Sequence, residues 1–358
     1  MQTTELLLLS CVKGLGIGRL RKLHSLCSDF NQIKKWSAEE WDHYFGKYQL
    51  YQEFWKTFNN SEIHRRIENS ILGATKVITF WDKKYPKSLE SIDQPPLALF
   101  LKGNTECLEH KLIAIVGTRS ISPYGKFVTY QLSKELAEHG YTLISGFARG
   151  VDTISHQAVV QANGHTIAVL GSGLDVVYPP ENSTLYKDVL QHGLFISEFL
   201  AGTQPDAPNF PKRNRIIAAL CSGLLVVEAG KKSGSLITAE LALEYGKDIF
   251  AVPGQINSKQ SEGTNHLIKD GAFLVQNVDD ILFRLDHVNK KNTQLNMFDL
   301  SDNYTDILNE LSSEPIHIDR LSVKLSRPVS ELAVDLLQLE FDQLVTDVGG
   351  KSYVRTQL

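Results

Sequence analysis

Between Lys111 and Gly254 the chain repeats one pattern: a short unbroken apolar run, a Gly/Ser-rich loop, then a segment with helical periodicity. The apolar runs are Leu112–Val116, Thr142–Ile144, Thr166–Leu170, Leu194–Ile196, Leu224–Val227 and Ile249–Val252. Runs that do not alternate polar and apolar positions predict strands buried on both faces. Their alternation with helices predicts an α/β fold with a parallel sheet. Ligands of such sheets bind beyond the carboxyl ends of the strands. The loops Gly117–Ser120, Ser145–Asp152, Gly171–Gly173, Ser197–Phe199, Glu228–Ser235 and Pro253-Gly254 all fall at that edge.

The flanks follow other patterns. Residues 1–70 read as a helical domain, with Gly14-Leu15-Gly16-Ile17-Gly18 leading into a helix that carries Arg19, Arg21 and Lys22. That turn is similar to a helix-hairpin-helix, and equally to a tight turn between packed helices. Trp41, Phe45, Tyr48, Tyr51, Trp55 and Phe58 recur at helical steps and read as core. Residues 76–109, broken by Tyr85-Pro86 and Pro95-Pro96, read as a connecting lead-in to the α/β region, which spans 71–286. Residues 287–303 turn polar, as a linker does. From 304 to 358 the order is helix, short strand, helix, turn, helix Val329–Phe341 and a hairpin around Gly349-Gly350, which is winged-helix order.

Composition narrows the function class. The chain has 358 residues, 42% hydrophobic and 22% charged, as expected of a soluble multidomain protein. Leu6–Leu9 follows Glu5 without a basic leader, and no apolar run approaches spanning length, so a cytoplasmic protein with no membrane partner is expected. The four cysteines have no metal spacing, so neither metal nor disulfide is expected. The net charge is −4, but five of the 37 Lys/Arg and nine of the 41 Asp/Glu lie beyond residue 303. The body is therefore neutral, and local basic clusters can act there.

One such cluster lies in Phe210–Glu240. Lys212, Arg213 and Arg215 stand at a helix start, where outward N–H groups also attract anions. After the strand come Lys231, Lys232, Ser233, Gly234 and Ser235, so two cationic loops flank one strand end. No strand is followed by GxGxxG, and Gly230–Ser235 lacks the P-loop order, which argues against a nicotinamide or nucleoside triphosphate cofactor. Asp152 and His156, four apart, read as an N-cap and a structural histidine rather than a catalytic pair. Phe147, Tyr178 and Phe210 sit in edge loops as base-stacking platforms or as core anchors.

The runs GTRSISPYG, SGFARGVDTISHQAVV, LGSGLDVVYPPEN, NFPKRNRIIAAL and VVEAGKKSGSLITAELALEYGK, in unbroken order over residues 76–286, resemble the DprA/Smf family of DNA-processing proteins. The resemblance implies an extended Rossmann-type domain that binds single-stranded DNA, protects incoming strands in natural transformation and helps load the RecA recombinase as a homodimer. It makes Arg119 and Lys212-Arg213-Asn214-Arg215 DNA-contacting positions, with Gly171 to Gly173 and Ser233-Gly234-Ser235 as the pocket floor. Arg149 and Lys231 join them as basic residues of the edge loops. Where several relatives carry a basic residue after Tyr178-Pro179, this chain has Pro180-Glu181. The runner-up reading is a Rossmann-like nucleotide phosphoribohydrolase of LOG type, because Glu228, Glu240 and the Gly-rich turn partly match its GG-x-GT-x-x-E motif. In the linker, Gln294-Leu295-Asn296-Met297-Phe298 resembles the peptide that docks on the replication sliding clamp. The helix Val329–Phe341 and its end carry Glu331, Asp335, Glu340 and Asp342 without one Lys or Arg, which predicts a protein-interaction or regulatory module rather than a DNA reader.

Overall fold

The computed structural model describes residues 1–46, 49–292, 302–312, 314–341 and 344–356. They form two compact units, Met1–Leu285 and Asp286–Leu358. The Gln294–Phe298 peptide and Tyr48 lie outside the described residues.

The first unit is built on a nine-stranded sheet. Its strands are β1 (Lys76–Thr79), β2 (Ala98–Gly103), β3 (Leu112–Val116), β4 (Thr142–Ser145), β5 (Thr166–Val169), β6 (Leu194–Ser197), β7 (Gly223–Val226), β8 (Asp248–Ala251) and β9 (Phe273–Leu274). Their order is β1-β2-β6-β5-β4-β3-β7-β8-β9, parallel from β6 to β9. The chain thus winds outward from β3 in one direction and resumes at β7 in the other. That reversal is the Rossmann-type switch point. β3 is buried at every position, with Ile113 and Ile115 on one face and Ala114 and Val116 on the other, each face covered by helices. Double coverage explains the unbroken apolar runs.

The lead-in departs from expectation. β1 and β2 are strands, antiparallel to each other, and β2 is antiparallel to β6. The prolines that mark breaks at 86, 95 and 96 fall between these strands rather than inside them. The six helices within residues 3–73 pack their apolar faces on the same side as β2, β5 and β6. Leu9, Trp41 and Phe54 share one core with Phe100, Ala168 and Phe195. Leu6–Leu9 is buried at all four positions, so it is a core helix.

A helix runs Val278–Asn292, entering the segment read as linker; no Pro or Gly interrupts it. In the second unit, helices Asp302–Glu310, Ile318–Leu325 and Val329–Phe341 surround a core of Ile307, Leu321, Leu332, Leu336 and Val345. Strands β10 (Ile316–His317), β11 (Val345–Asp347) and β12 (Ser352–Arg355) complete a winged helix in the order β10-β12-β11. Gly349 and Gly350 take positive φ in its hairpin.

Candidate nucleic-acid interface

At the switch point a pocket of about 400 Å³ opens between the ends of β3 and β7. Gly117, Thr118 and Arg119 line it from the β3 loop, and Ala148 and Asp152 from the β4 loop. Phe210, Arg213 and Asn214 come from the helix Asn209–Leu220, and Ser233, Gly234 and Ser235 from the start of Gly234–Glu244. Backbone bonds tie the loops together: Thr118 N donates to Glu228 O (2.7 Å) and Val151 N to Thr118 O (3.3 Å). Gly150, at φ 77°, allows that approach, since a Cβ there would lie 2.2 Å from the Thr118 carbonyl oxygen.

The base of the pocket holds a buried cation. Arg213 is 4% exposed, donates through Nη1 to the Val169 carbonyl, and donates through Nε to Asn214 Oδ1 (3.1 Å). Gly146 makes room for it, because a Cβ would stand 2.1 Å from Nη1. Asp152 faces the guanidinium electrostatically and accepts from Gly146 N and Ala148 N, both at 3.2 Å. Burial pushes Arg213 down to about 10, against the pull of Asp152 and with a further push from Arg119. It therefore stays charged at neutral pH. Burial likewise raises Asp152, offset by Arg213 and the backbone donors. Among the pocket's described lining, Asp152 is the one carboxylate against two arginines, and two helix N-termini add partial positive charge. The cavity suits an anion.

Above it runs a row of alternating character. The Arg119 guanidinium lies 4.9 Å from the Phe210 ring centre, Phe210 lies 6.1 Å from Tyr178, and Arg149 lies 5.8 Å from Tyr178. Cations stacked on π-faces beside an anion-attracting pocket are groups that engage both the backbone and the bases of single strands.

The structure brings together Arg119, Phe210, Arg213, Asn214, Ser233, Gly234 and Ser235. It separates others. Arg215 pairs with Glu198, both side chains about 15% exposed, close to Tyr85 and Tyr245. Residues two apart on a helix diverge by about 200°, so Arg213 and Arg215 cannot serve one pocket. Lys212 and Lys231 are exposed outside the lining. Gly171 and Gly173 are buried, and neither forms the pocket floor. Gly171 lets the Phe210 ring approach (3.0 Å to an added Cβ), and Gly173 packs against Leu200 and Ala201. Phe147 is no stacking platform: at φ 58° its ring turns inward, wholly buried against Phe195 (5.2 Å), His156 (5.5 Å) and Tyr186 (6.3 Å). Arg149 is exposed and pairs with Glu181. Asp152 is not the N-cap, which is Gly150; its carboxylate instead holds the loop before it. Sequence reasoning passed over that anchoring role, and also Thr118 and Ala148, whose signal was their place at strand ends.

The features behind the enzyme reading lie elsewhere. Glu228 is 2% exposed and accepts from Ser122 N (2.9 Å) and Ser122 Oγ (2.5 Å), fastening the start of the helix Pro123–Glu138. Glu240 is exposed on its helix, and neither glutamate lines the pocket. His156 is buried against Thr166 Oγ1 (2.7 Å), with its pKa lowered to about 3 by burial and by Arg213. No cluster of three metal-ligating side chains occurs among the described residues. No described helix is long and apolar enough to cross a membrane.

Comparison with known proteins identifies the family. The family profile of DNA recombination-mediator protein A matches residues 76–286, and that of the DprA winged helix domain matches 294–351. The chain is 39% identical to Protein Smf of Escherichia coli over 280 residues, covering 76% of this chain and 75% of the relative. It is 45% identical to DNA processing protein DprA of Streptococcus pneumoniae over 201 residues, 56% of this chain and 71% of that one. The X-ray structure of the S. pneumoniae protein superposes with a TM-score of 0.67 at 34% identity, covering 78% of this chain and 97% of that one. A Helicobacter pylori DprA structure, described for its single-stranded DNA binding mode, gives a TM-score of 0.54 at 32% identity, covering 61% of this chain and 98% of that one. An extended Rossmann-type sheet with this order of loops, followed by a winged helix, places the chain in the DprA/Smf family of DNA-processing proteins.

Proposed function

We propose that the chain binds single-stranded DNA, seating a backbone phosphate in the switch-point pocket and stacking bases along the Arg119–Phe210–Tyr178 row. The observation that carries this is the imbalance of charge: Arg213 and Arg119 face one buried carboxylate, and Arg119 has no acidic partner among the described residues. The described groups at this edge are arginines, aromatic faces and helix N-termini, which engage phosphates and base faces rather than base edges, so binding is largely sequence-tolerant. The H. pylori relative, whose structure is described for its single-stranded DNA binding mode, supports the same reading. Asp152, the one carboxylate in the described lining, is engaged by two backbone N–H groups, and we read the role as binding without catalysis.

The finer role follows the family. The protein protects incoming strands in the cytoplasm during natural transformation and hands them to the RecA recombinase, acting as a homodimer. The winged helix faces protein partners, and the 294–298 peptide docks on the sliding clamp. The test is fluorescence anisotropy with a labelled oligothymidylate. Binding that weakens steeply with salt in wild type and collapses in Arg119→Ala supports the reading. An Arg119→Ala variant that binds like wild type moves the site off this edge.

A further inference from the structure

Beside the switch-point pocket lies a second groove, of about 360 Å³, which shares Arg119 with it. Its walls are Ser120, Ile121 and Lys126 on one side, and Arg149, Gly150, Thr153 and Ile154 on the other, with Glu181 and Asn182 at its rim. Three of its lining side chains are cationic and one is acidic. Lys126 is exposed and makes no ion pair among the described residues. Arg149 is paired with Glu181, and both side chains are about half exposed, at 50% and 54%. The pair is bidentate, Nε to Oε1 and Nη2 to Oε2 (3.1 Å), yet it is open to water on both sides, and a phosphate offers the same fork more acceptor oxygens. Arg149 also lies over Tyr178, so the row from Arg119 through Phe210 and Tyr178 to Arg149 runs from the first pocket to the second.

We propose that this groove is a second nucleotide subsite, in which Lys126 and Arg149 hold a further phosphate of the strand seated at Arg213, and in which Glu181 is displaced from Arg149 as the strand enters. The proposal rests on the reading of the first pocket and extends it in one direction, past Arg119 toward the helix Pro123–Glu138. Arg119 sits at the junction and serves both sites. Glu181 acts as an internal competitor that raises the threshold for entry, so strands too short to reach the second groove gain nothing from it.

The experiment compares a thymidine dinucleotide with an oligothymidylate long enough to span both pockets, by anisotropy across a salt series. Lys126→Ala is expected to weaken the long strand roughly threefold to tenfold and to lower the log–log salt slope by about 0.7, as the loss of one phosphate contact to a single strand requires. Glu181→Gln is expected to tighten the long strand, and both effects are confined to it. Wild-type affinity and salt slope in both variants, with Arg119→Ala still defective, overturn the second subsite and leave the first pocket standing. Failure of the wild-type protein to bind either oligonucleotide removes the first reading and this one with it. Both substitutions are at exposed positions, so circular dichroism with unchanged thermal midpoints separates loss of a contact from loss of fold.

Discussion

Two basic clusters, the Gly14–Lys22 hairpin and the strand-end edge, look alike in sequence and differ in what their cations already hold. In the hairpin, Arg19 donates to Gly14 O (2.7 Å), Arg21 lies 5.1 Å from the Phe80 ring centre, and Lys22 donates to Tyr44 O (2.6 Å). Each cation serves its own chain. At the edge, Arg119 rests on an aromatic face as Arg21 does, but it lines an open cavity, with Arg213 buried at the base facing one carboxylate. Proximity of Gly and Arg therefore says little. What separates a binding surface from a packed turn is the charge left over after internal partners are counted.

The sharpest way to break the contrast is Arg213→Ala. It strips the counter-charge from Asp152, which stays buried, so a loss of about 3–5 kcal/mol in chemical denaturation is expected, together with loss of DNA binding. A small stability change would mean that Asp152 does not depend on this arginine.

Next in size is a pH effect beneath the same loop. His156 titrates near 3 in the fold and near 6.5 when unfolded. Between those values the unfolded chain binds the extra proton, so stability is full above pH 6.5 and falls as pH drops. From pH 7.5 to 5 the loss is about 2 kcal/mol, read from urea midpoints, and His156→Gln should remove that part of the slope. A variant as acid-sensitive as wild type assigns the slope to other groups.

Arg119→Ala should leave the urea midpoint in place and weaken oligothymidylate binding by roughly tenfold or more, as the loss of a charge-assisted contact implies. The smallest effect belongs to the hairpin: Arg19→Ala with Lys22→Ala is expected to change DNA affinity less than about twofold, within the range of surface substitutions. A larger drop would make the hairpin a second binding surface and end the contrast.

Much of the fold was legible because physics writes it locally. The six central strands are runs too apolar to alternate, and the winged helix followed from its helix periods and its glycine turn. β1 and β2 escaped because their partners are distant and the prolines between them suggested an irregular stretch. In the site, the loops were found from their position at strand ends, whereas side-chain direction was not. Phe147 turns inward through a positive φ that sequence does not announce. Arg215 was misplaced although the 3.6-residue period puts it opposite Arg213. The acidic face of Val329–Phe341 was plain in the sequence, and within it Asp335 already pairs with Arg327.

Arg213 reaches from the helix after β6 to the carbonyl that ends β5, passing beneath a glycine that follows β4. The cation thus arrives later in the chain than the strands that house it, and the serines of residues 233–235 later still. In chain order β3 to β6 come before the cation, and β7, the strand that completes the switch point, comes after it. On the proposed reading, a chain ending before residue 213 lacks both the buried cation and the serine loop, and with them the phosphate site.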